Sequence, residues 1–166
     1  MRDTSAENSL LNMNKKIEKI KDFRLFLLKQ LDGLTAQQLN EVPSGYNNNI
    51  IWNLAHLICA EQSMCYVRAG LPLVVDEQYF SPYLPTTKPT GFVDEQEIEI
   101  IKKLLISSID RLQADFEKDA FGNYSPSAMT PKIYGVEVNS IDDAINFLLY
   151  HEGFHAGYII SLKRSV

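Results

Sequence analysis

The chain contains a histidine pattern that is typical of metal-dependent hydrolysis. In the stretch LLYHEGFHAGYII, residues 148–160, His151 and His155 are separated by one helical turn, and Glu152 lies between them. In zinc peptidases this H-E-x-x-H spacing lets two imidazoles bind zinc while the glutamate activates a water molecule. Such a site needs a third protein ligand, and its position decides whether the chain is a peptidase.

The sequence after His155 does not supply that third ligand. In zinc peptidases that extend the motif locally, a glycine and a histidine follow at positions that correspond here to Tyr158 and Ser161. Other zinc peptidases use a glutamate farther downstream, but none of residues 156–166 is acidic. The peptidase interpretation is therefore disfavoured, and any third ligand must come from upstream.

His56 is the upstream candidate. The chain has three histidines, and each lies in the middle of an apolar helical stretch. A single buried histidine is usually hydrogen-bonded in the core, but three imidazoles converging from two helices suit a divalent ion such as Zn²⁺ or Ni²⁺. The sequence thus predicts a metal site made of His56, His151 and His155, with open positions for water. A metal-free polar core of hydrogen-bonded histidines is the alternative.

Glu152 and His155 occupy inward positions of the last helix, where Leu or Ile would be expected. The inward positions follow a four-three spacing: Ile141, Ile145, Leu148, Glu152, His155, Ile159 and Leu162. Burying an acid and two imidazoles costs several kcal/mol unless they are paired. We predict Glu152 as a general base or as the group that orients His56, with a salt bridge or a helix-surface carboxylate as the alternative.

Aromatic side chains near the histidines are candidates for substrate contact. Trp52, Phe154 and Tyr158 are predicted to line a substrate cavity, together with Phe147. At helical spacing, such residues can equally belong to the apolar core.

Composition limits the classes of function. The chain has 166 residues, 45% of them hydrophobic and 22% charged, which suits one globular domain. The net charge of −5 argues against nucleic acid as the main partner. No apolar run is long enough to span a membrane, and the first residues lack the apolar core of a secretory signal. We therefore expect a cytoplasmic protein.

Four helical segments must position the histidines. Apolar periodicity and capping residues predict helices over about 14–31, 49–69, 94–118 and 140–163. The fold class is therefore all-α, a four-helix bundle with long connections between helices 2 and 3 and between helices 3 and 4. Residues 1–12 are expected to form a frayed tail before a domain over 13–166. The segment IYGVEV, residues 133–138, is a candidate for a small hairpin in the last connection.

Two segments together resemble the DinB family, the DinB/YfiT-like metalloenzymes. They are WNLAHLICAEQ, residues 52–62, and LLYHEGFHAGYIISLKR, residues 148–164. The family pattern is a histidine in helix 2 followed far downstream by H-x-x-x-H-x-G, which His56, His151, His155 and Gly157 match. The resemblance covers residues 14–165, and LTAQQLNEVPSG before helix 2 also looks like the family's first loop.

The resemblance implies a four-helix bundle that holds a divalent ion through the three histidines near one end. It also implies a homodimer, and a reaction that uses a low-molecular-weight thiol in some branches and is a hydrolysis in others. The residue after Gly157 is Tyr158, where many relatives carry glutamine. No substrate is therefore carried over.

Three classes of function remain. The first is a metal-dependent enzyme, a hydrolase or a thiol-S-transferase acting on a small molecule. The second is a non-catalytic, stress-related bundle that binds a metal or a small molecule. In the third, a dimeric assembly, the polar core only fixes the register of the helices.

Overall fold

The computed structural model describes residues 4–166, and the side chains of residue 8 and of residues 10–166. Within residues 4–166 the chain is all-helical and forms no strand. The α-helices are α1 (Thr4–Gln30), α2 (Ala36–Asn40), α3 (Ile50–Glu61), α4 (Glu95–Phe116), α5 (Thr130–Tyr134) and α6 (Ile141–Lys163). A π-helical turn, Gln62–Val67, extends α3, and two 3-10 turns, Glu77–Tyr79 and Ser81–Tyr83, lie in the connection that follows.

Side-chain caps set the starts of the helices that carry the chemistry. Asn49 caps α3 by accepting a hydrogen bond from the backbone N–H of Trp52, and Ser140 caps α6 through the N–H of Asp143. Asp94 caps α4 in the same way. Each such cap satisfies a backbone donor that the helix leaves unpaired, worth about 1 kcal/mol. The predicted starts of these three helices are confirmed.

The first helix is longer than its apolar pattern predicted. It begins at Thr4 rather than at Asn14, and residues 1–3 of the predicted tail lie outside the described residues. Apolar periodicity marks only the part of a helix that packs, so it misses a first segment whose leucines face outward, as Leu10 and Leu11 do. The division into a tail, 1–12, and a domain, 13–166, stays a prediction.

The long helices pack in a closed set of pairs. Both α1 and α3 contact α4, and both contact α6. All twelve residues of α3 are buried, as its apolar sequence predicted. Since burying a large apolar side chain contributes about 1.5–3 kcal/mol, α3 supplies much of the apolar core.

The second helix changes its geometry halfway. It was predicted as one helix to about Ala69, but after Glu61 it becomes π-helical from Gln62 to Val67. The side chain of Gln62, fully buried, donates to Glu61 and accepts from the backbone N–H of Val74. Gln62 therefore fastens the start of the long connection to the π turn.

The predicted hairpin at IYGVEV is wrong. Ile133 and Tyr134 are instead the last residues of α5, and Gly135 ends that helix in the left-handed conformation with φ 66°. Pro131 in the first turn and Gly at the end favour a short helix at this place. After the glycine, Val138 turns into the core, and its carbonyl accepts from the N–H of Ser127 instead of pairing in a ladder.

None of the helices in the described part of the chain combines the length and the apolar character that a membrane crossing requires.

Candidate metal centre

The three histidines lie together. His56 comes from α3, and His151 and His155 come from successive turns of α6. All three are buried, and one potential ligand atom from each lies within 4.8 Å of the others. The ring centroids are 4.5–5.4 Å apart. The packing of α3 against α6 thus brings together residues about a hundred positions apart in the sequence.

A backbone carbonyl orients His56. Its Nδ1 lies 2.6 Å from the carbonyl oxygen of Tyr83, which can only accept a hydrogen bond. Nδ1 must therefore carry the proton, and Nε2 keeps the lone pair that a metal ion requires. The ring of Trp52 stacks on the imidazole at 4.9 Å with an interplanar angle of 8°, which fixes the plane of the ring as well.

An asparagine orients His155 in the same manner. The Nδ1 of His155 lies 2.9 Å from Oδ1 of Asn53. The other end of that amide, Nδ2, donates to the carbonyl of Asn49 at 2.7 Å, so the oxygen faces the imidazole as acceptor. His155 therefore donates through Nδ1 and also keeps a lone pair on Nε2.

His151 is the ring that the protein leaves unsatisfied. Its Nδ1 is buried and has no hydrogen-bond partner among the described residues, and its nearest aromatic neighbour outside the triad is Phe147, at 5.7 Å. An orphaned polar atom in a core costs about 1–3 kcal/mol. This arrangement fits a histidine whose Nδ1 contacts a bound ion rather than another side chain.

Burial keeps the three imidazoles neutral. Desolvation, together with the neighbouring imidazoles and Arg24, lowers the pKa of His151 to about 2. It lowers the pKa of His155 to about 3, with His56 contributing in the same direction. The pKa of His56 is also below its ordinary value, although the hydrogen bond to Tyr83 opposes the shift. Three neutral imidazoles with free lone pairs fit a divalent ion that prefers nitrogen ligands.

One oxygen of Glu152 is bound by α1, while the other, Oε2, is buried without a hydrogen-bond partner among the described residues. Its Oε1 accepts hydrogen bonds from Nε and Nη2 of Arg24 at 2.9 and 2.6 Å. Of the alternatives that the sequence left open, the structure thus shows the salt bridge. The group that orients His56 is the carbonyl of Tyr83, not Glu152. A role of Glu152 as general base stays a prediction.

Arg24 holds a second carboxylate, Glu61, at 2.6 Å through Nη1. Arg24 is 0% exposed, and it also donates to the carbonyls of Leu57 in α3 and Leu105 in α4. Burial raises the pKa of both carboxyl groups, and the guanidinium between them counteracts that rise. Arg24 therefore links α1 to the three other long helices, through partners that include the direct sequence neighbours of His56 and His151.

A cavity of about 120 Å³ adjoins the histidines. Its lining consists of His56, Cys59, Ala60, Ser63, Met64, Arg68, Leu84, Pro85, Ser127, Met129, Thr130, Ile133, Tyr134, Phe147 and His151. Two of the three ligand candidates thus face a space that a small molecule can occupy. Most of its wall is apolar, as in ordinary ligand sites.

The three predicted substrate residues lie around the centre but outside this cavity. Trp52 is buried against His56 and lines a separate cavity under residues 82–93. Phe154 is 65% exposed and meets His155 edge-on, and Tyr158 packs against Tyr46. Phe147 does line the cavity. Contact of Trp52, Phe154 and Tyr158 with a substrate stays a prediction.

Sequence reasoning missed three groups of the site. Asn53 had a usable signal, because it is a polar residue in an apolar helix one turn before His56. Arg24 had one too, since it stands between Ile20 and Leu27 on the apolar stripe of α1. Tyr83 had none, because it acts through its backbone carbonyl.

Comparison with known proteins gives a family. The family model described as DinB superfamily matches residues 25–159, which include all three histidines. Neither the curated proteins nor the solved structures compared with the chain gave a match.

The neutral histidines predict how stability depends on pH in the metal-free protein. Since the folded-state pKa of His151 lies far below 6.5, the unfolded chain binds a proton there that the native protein does not bind. This histidine alone then costs about 1.4 kcal/mol of unfolding free energy per pH unit below its unfolded pKa of about 6.5. Replacing it in H151L removes that slope, so the stability of wild type relative to H151L falls as pH drops from 7.5 to 5.5. Urea unfolding with a chelator present measures the unfolding free energy of both proteins at each pH. A difference between wild type and H151L that does not change with pH would contradict a buried neutral His151.

Arg24 predicts a large loss of stability on substitution. In R24M two buried carboxyl groups lose their shared cation, and breaking a buried pair in this way costs about 3–5 kcal/mol. Lys21 provides the matched control, because it lies on the same helix as Arg24 but pairs with Asp110 of α4 at the surface. Such surface pairs are worth about 0–1 kcal/mol. Chemical denaturation of R24M and K21M should show this difference, and equal losses would show that Arg24 does not hold the helices together.

Proposed function

Because the chain belongs to the DinB superfamily, we propose that it is a metal-dependent enzyme, a hydrolase or a thiol-S-transferase acting on a small molecule. His56, His151 and His155 hold the divalent ion in this proposal, and zinc or nickel suits their nitrogen ligands best. The observation that carries it is the convergence of three buried imidazoles next to a cavity.

The residues of the chain supply orientation and an apolar environment. Tyr83 and Asn53 fix the proton of two rings on Nδ1, so that Nε2 of each ring keeps the lone pair that an ion requires. When bound, a divalent ion lowers the pKa of a coordinated water or thiol and so supplies a nucleophile near neutral pH. The apolar cavity wall lowers the local dielectric constant, which strengthens the electrostatic interactions beside it.

The lining of the cavity bears on the kind of reaction. None of its fifteen lining residues is acidic, and Oε1 of Glu152 is engaged by Arg24. Within the enzyme proposal this favours thiol transfer over hydrolysis, because a thiol with a pKa of about 8.5 needs less help from a general base than water does. The same observation favours the alternative function, a non-catalytic, stress-related protein that binds a metal or a small molecule.

Three further properties belong to the proposal. The contacts of α1 and α3 with both α4 and α6 support a four-helix bundle. Exposed Leu25 and Phe26 on α1 support a homodimer formed through helix faces. The two cysteines are free and buried, which suits a reducing, cytoplasmic location.

Metal analysis tests the ligand set. The purified protein loaded with Zn²⁺ or Ni²⁺ is expected to hold one ion per chain, and H56A and H155A are expected to lose it, because two imidazoles bind far more weakly than three. C65A removes a buried thiol outside the triad and should retain the ion. Full metal content in either histidine variant would show that the ligand assignment is wrong.

Turnover assays separate the enzyme from the binding protein. We expect the metal-loaded protein to accelerate transfer of a low-molecular-weight thiol to small electrophiles, and H151A to lose that acceleration. The assays cover a panel of thiols, electrophiles and hydrolysable esters. If the metal-loaded protein accelerates none of these reactions above background, the enzyme proposal is rejected and the non-catalytic alternative is supported.

A further inference from the structure

We infer that the cavity beside the three histidines binds a small organic carboxylate, with the anionic group at Arg68 and the apolar body directed toward His56 and His151. This inference rests on the proposed function, because it names the substrate class of the same centre. Four observations support it: the π turn, the lack of an acidic partner for Arg68 among the described residues, the unpaired hydroxyl of Thr130, and the size of the cavity.

The π turn places Arg68 on the same face as His56. Twelve positions separate the two residues, and in an uninterrupted α-helix Arg68 would point about a third of a turn away, about 120°. A π turn accommodates one extra residue, which rotates the following side chains back by about 100°. Both side chains consequently line one cavity, His56 at one end and Arg68 at the other.

Apart from Ser63, the wall between these two ends is apolar. Cys59, Ala60 and Met64 line it from the helix that carries His56, and Ile133 and Phe147 line it from the opposite side. Burial raises the pKa of the Cys59 thiol to about 12, so that this residue stays protonated and contributes an uncharged wall. The middle of the cavity therefore fits hydrocarbon.

Among the described residues, Arg68 is a cation without an acidic partner. It donates one hydrogen bond, from Nη1 to the carbonyl of Pro126 at 3.1 Å. It forms no ion pair among the described residues, although acidic residues outnumber basic ones by 21 to 16 in the chain. A half-buried guanidinium held at the edge of an apolar cavity offers its remaining N–H groups to an anion, and a carboxylate matches their planar arrangement.

Thr130 gives an independent indication of a ligand at the same end. It is 4% exposed and lines the cavity, yet its hydroxyl has no hydrogen-bond partner among the described residues. Its backbone N–H is held by Ser127, which directly follows the Pro126 that holds Arg68. Since buried hydroxyls are normally hydrogen-bonded, this one fits a donor for the carboxylate that Arg68 attracts.

Size and charge narrow the ligand further. The cavity volume of about 120 Å³ is a little below the ~150 Å³ of an engineered cavity that holds benzene. An apolar body of about four to six carbon atoms is therefore appropriate. A single guanidinium balances one carboxylate, whereas a phosphate monoester would carry up to two charges.

Titration calorimetry with pentanoate tests the inference, with uncharged pentanamide as the matched ligand. Both are titrated into the metal-free and the zinc-loaded protein. We expect R68Q to weaken pentanoate binding about tenfold or more in both forms, since a charge-assisted hydrogen bond is lost, and to leave pentanamide binding unchanged. T130V should weaken pentanoate binding less, without lowering the melting temperature, because the Thr130 hydroxyl has no partner among the described residues.

R164Q is the matched control variant. Arg164 is exposed at the end of α6, outside the cavity, so its replacement changes the net charge equally without touching the ligand. R68K keeps the positive charge but not the planar guanidinium, so an intermediate affinity for pentanoate is expected. If R68Q does not fold, R68K replaces it as the test variant. Circular dichroism confirms the helical content of each variant.

The outcomes separate this inference from the proposed function. Pentanoate binding that is unaffected in R68Q, equally weakened in R164Q, or matched by pentanamide would overturn the inference whatever the metal content. A protein that binds no zinc but shows the Arg68-dependent preference for pentanoate would support the carboxylate site and reject the metal centre. Zinc binding without any pentanoate binding would support the metal centre and reject the carboxylate site.

Discussion

The fully buried guanidinium of Arg24, placed between Glu61 and Glu152, is the interaction on which the rest of the structure depends. It reaches from α1 to side chains or carbonyls of α3, α4 and α6 and so fixes the four long helices relative to one another. A buried charge tolerates little displacement of its partners, because losing one leaves another uncompensated in the core. The relative position of α3 and α6, and with it the distance between the histidines, depends on this group.

The candidate metal centre is shaped by groups that hold the imidazole rings rather than by the rings alone. A carbonyl from the long connection and an asparagine in α3 set the tautomers of His56 and His155, while burial keeps all three imidazoles neutral. Such partners decide whether three adjacent histidines form a polar core or a ligand set. The orphaned Nδ1 of His151 favours the ligand set.

The π turn connects the centre to its cavity. Glu61 ends the regular part of α3, where Arg24 holds it, and the change of helical geometry begins with the next residue. The extra residue in that turn redirects the side chains after it, so that Arg68 faces the same space as His56. The core ion pair and the anion site that we propose are therefore consecutive features of one helix.

The sequence by itself determined the all-α class, the starts of the three later long helices and the set of three histidines that lie together. Apolar periodicity, capping residues and histidines within apolar helices are local signals, and local signals can be read from the sequence. It also indicated the DinB family, which the family model confirms. Only the tertiary structure decided that Glu152 pairs with Arg24, that Tyr83 orients His56, and that residues 133 and 134 end a helix instead of starting a hairpin. These depend on contacts between residues far apart in the chain, for which spacing along one helix carries no information.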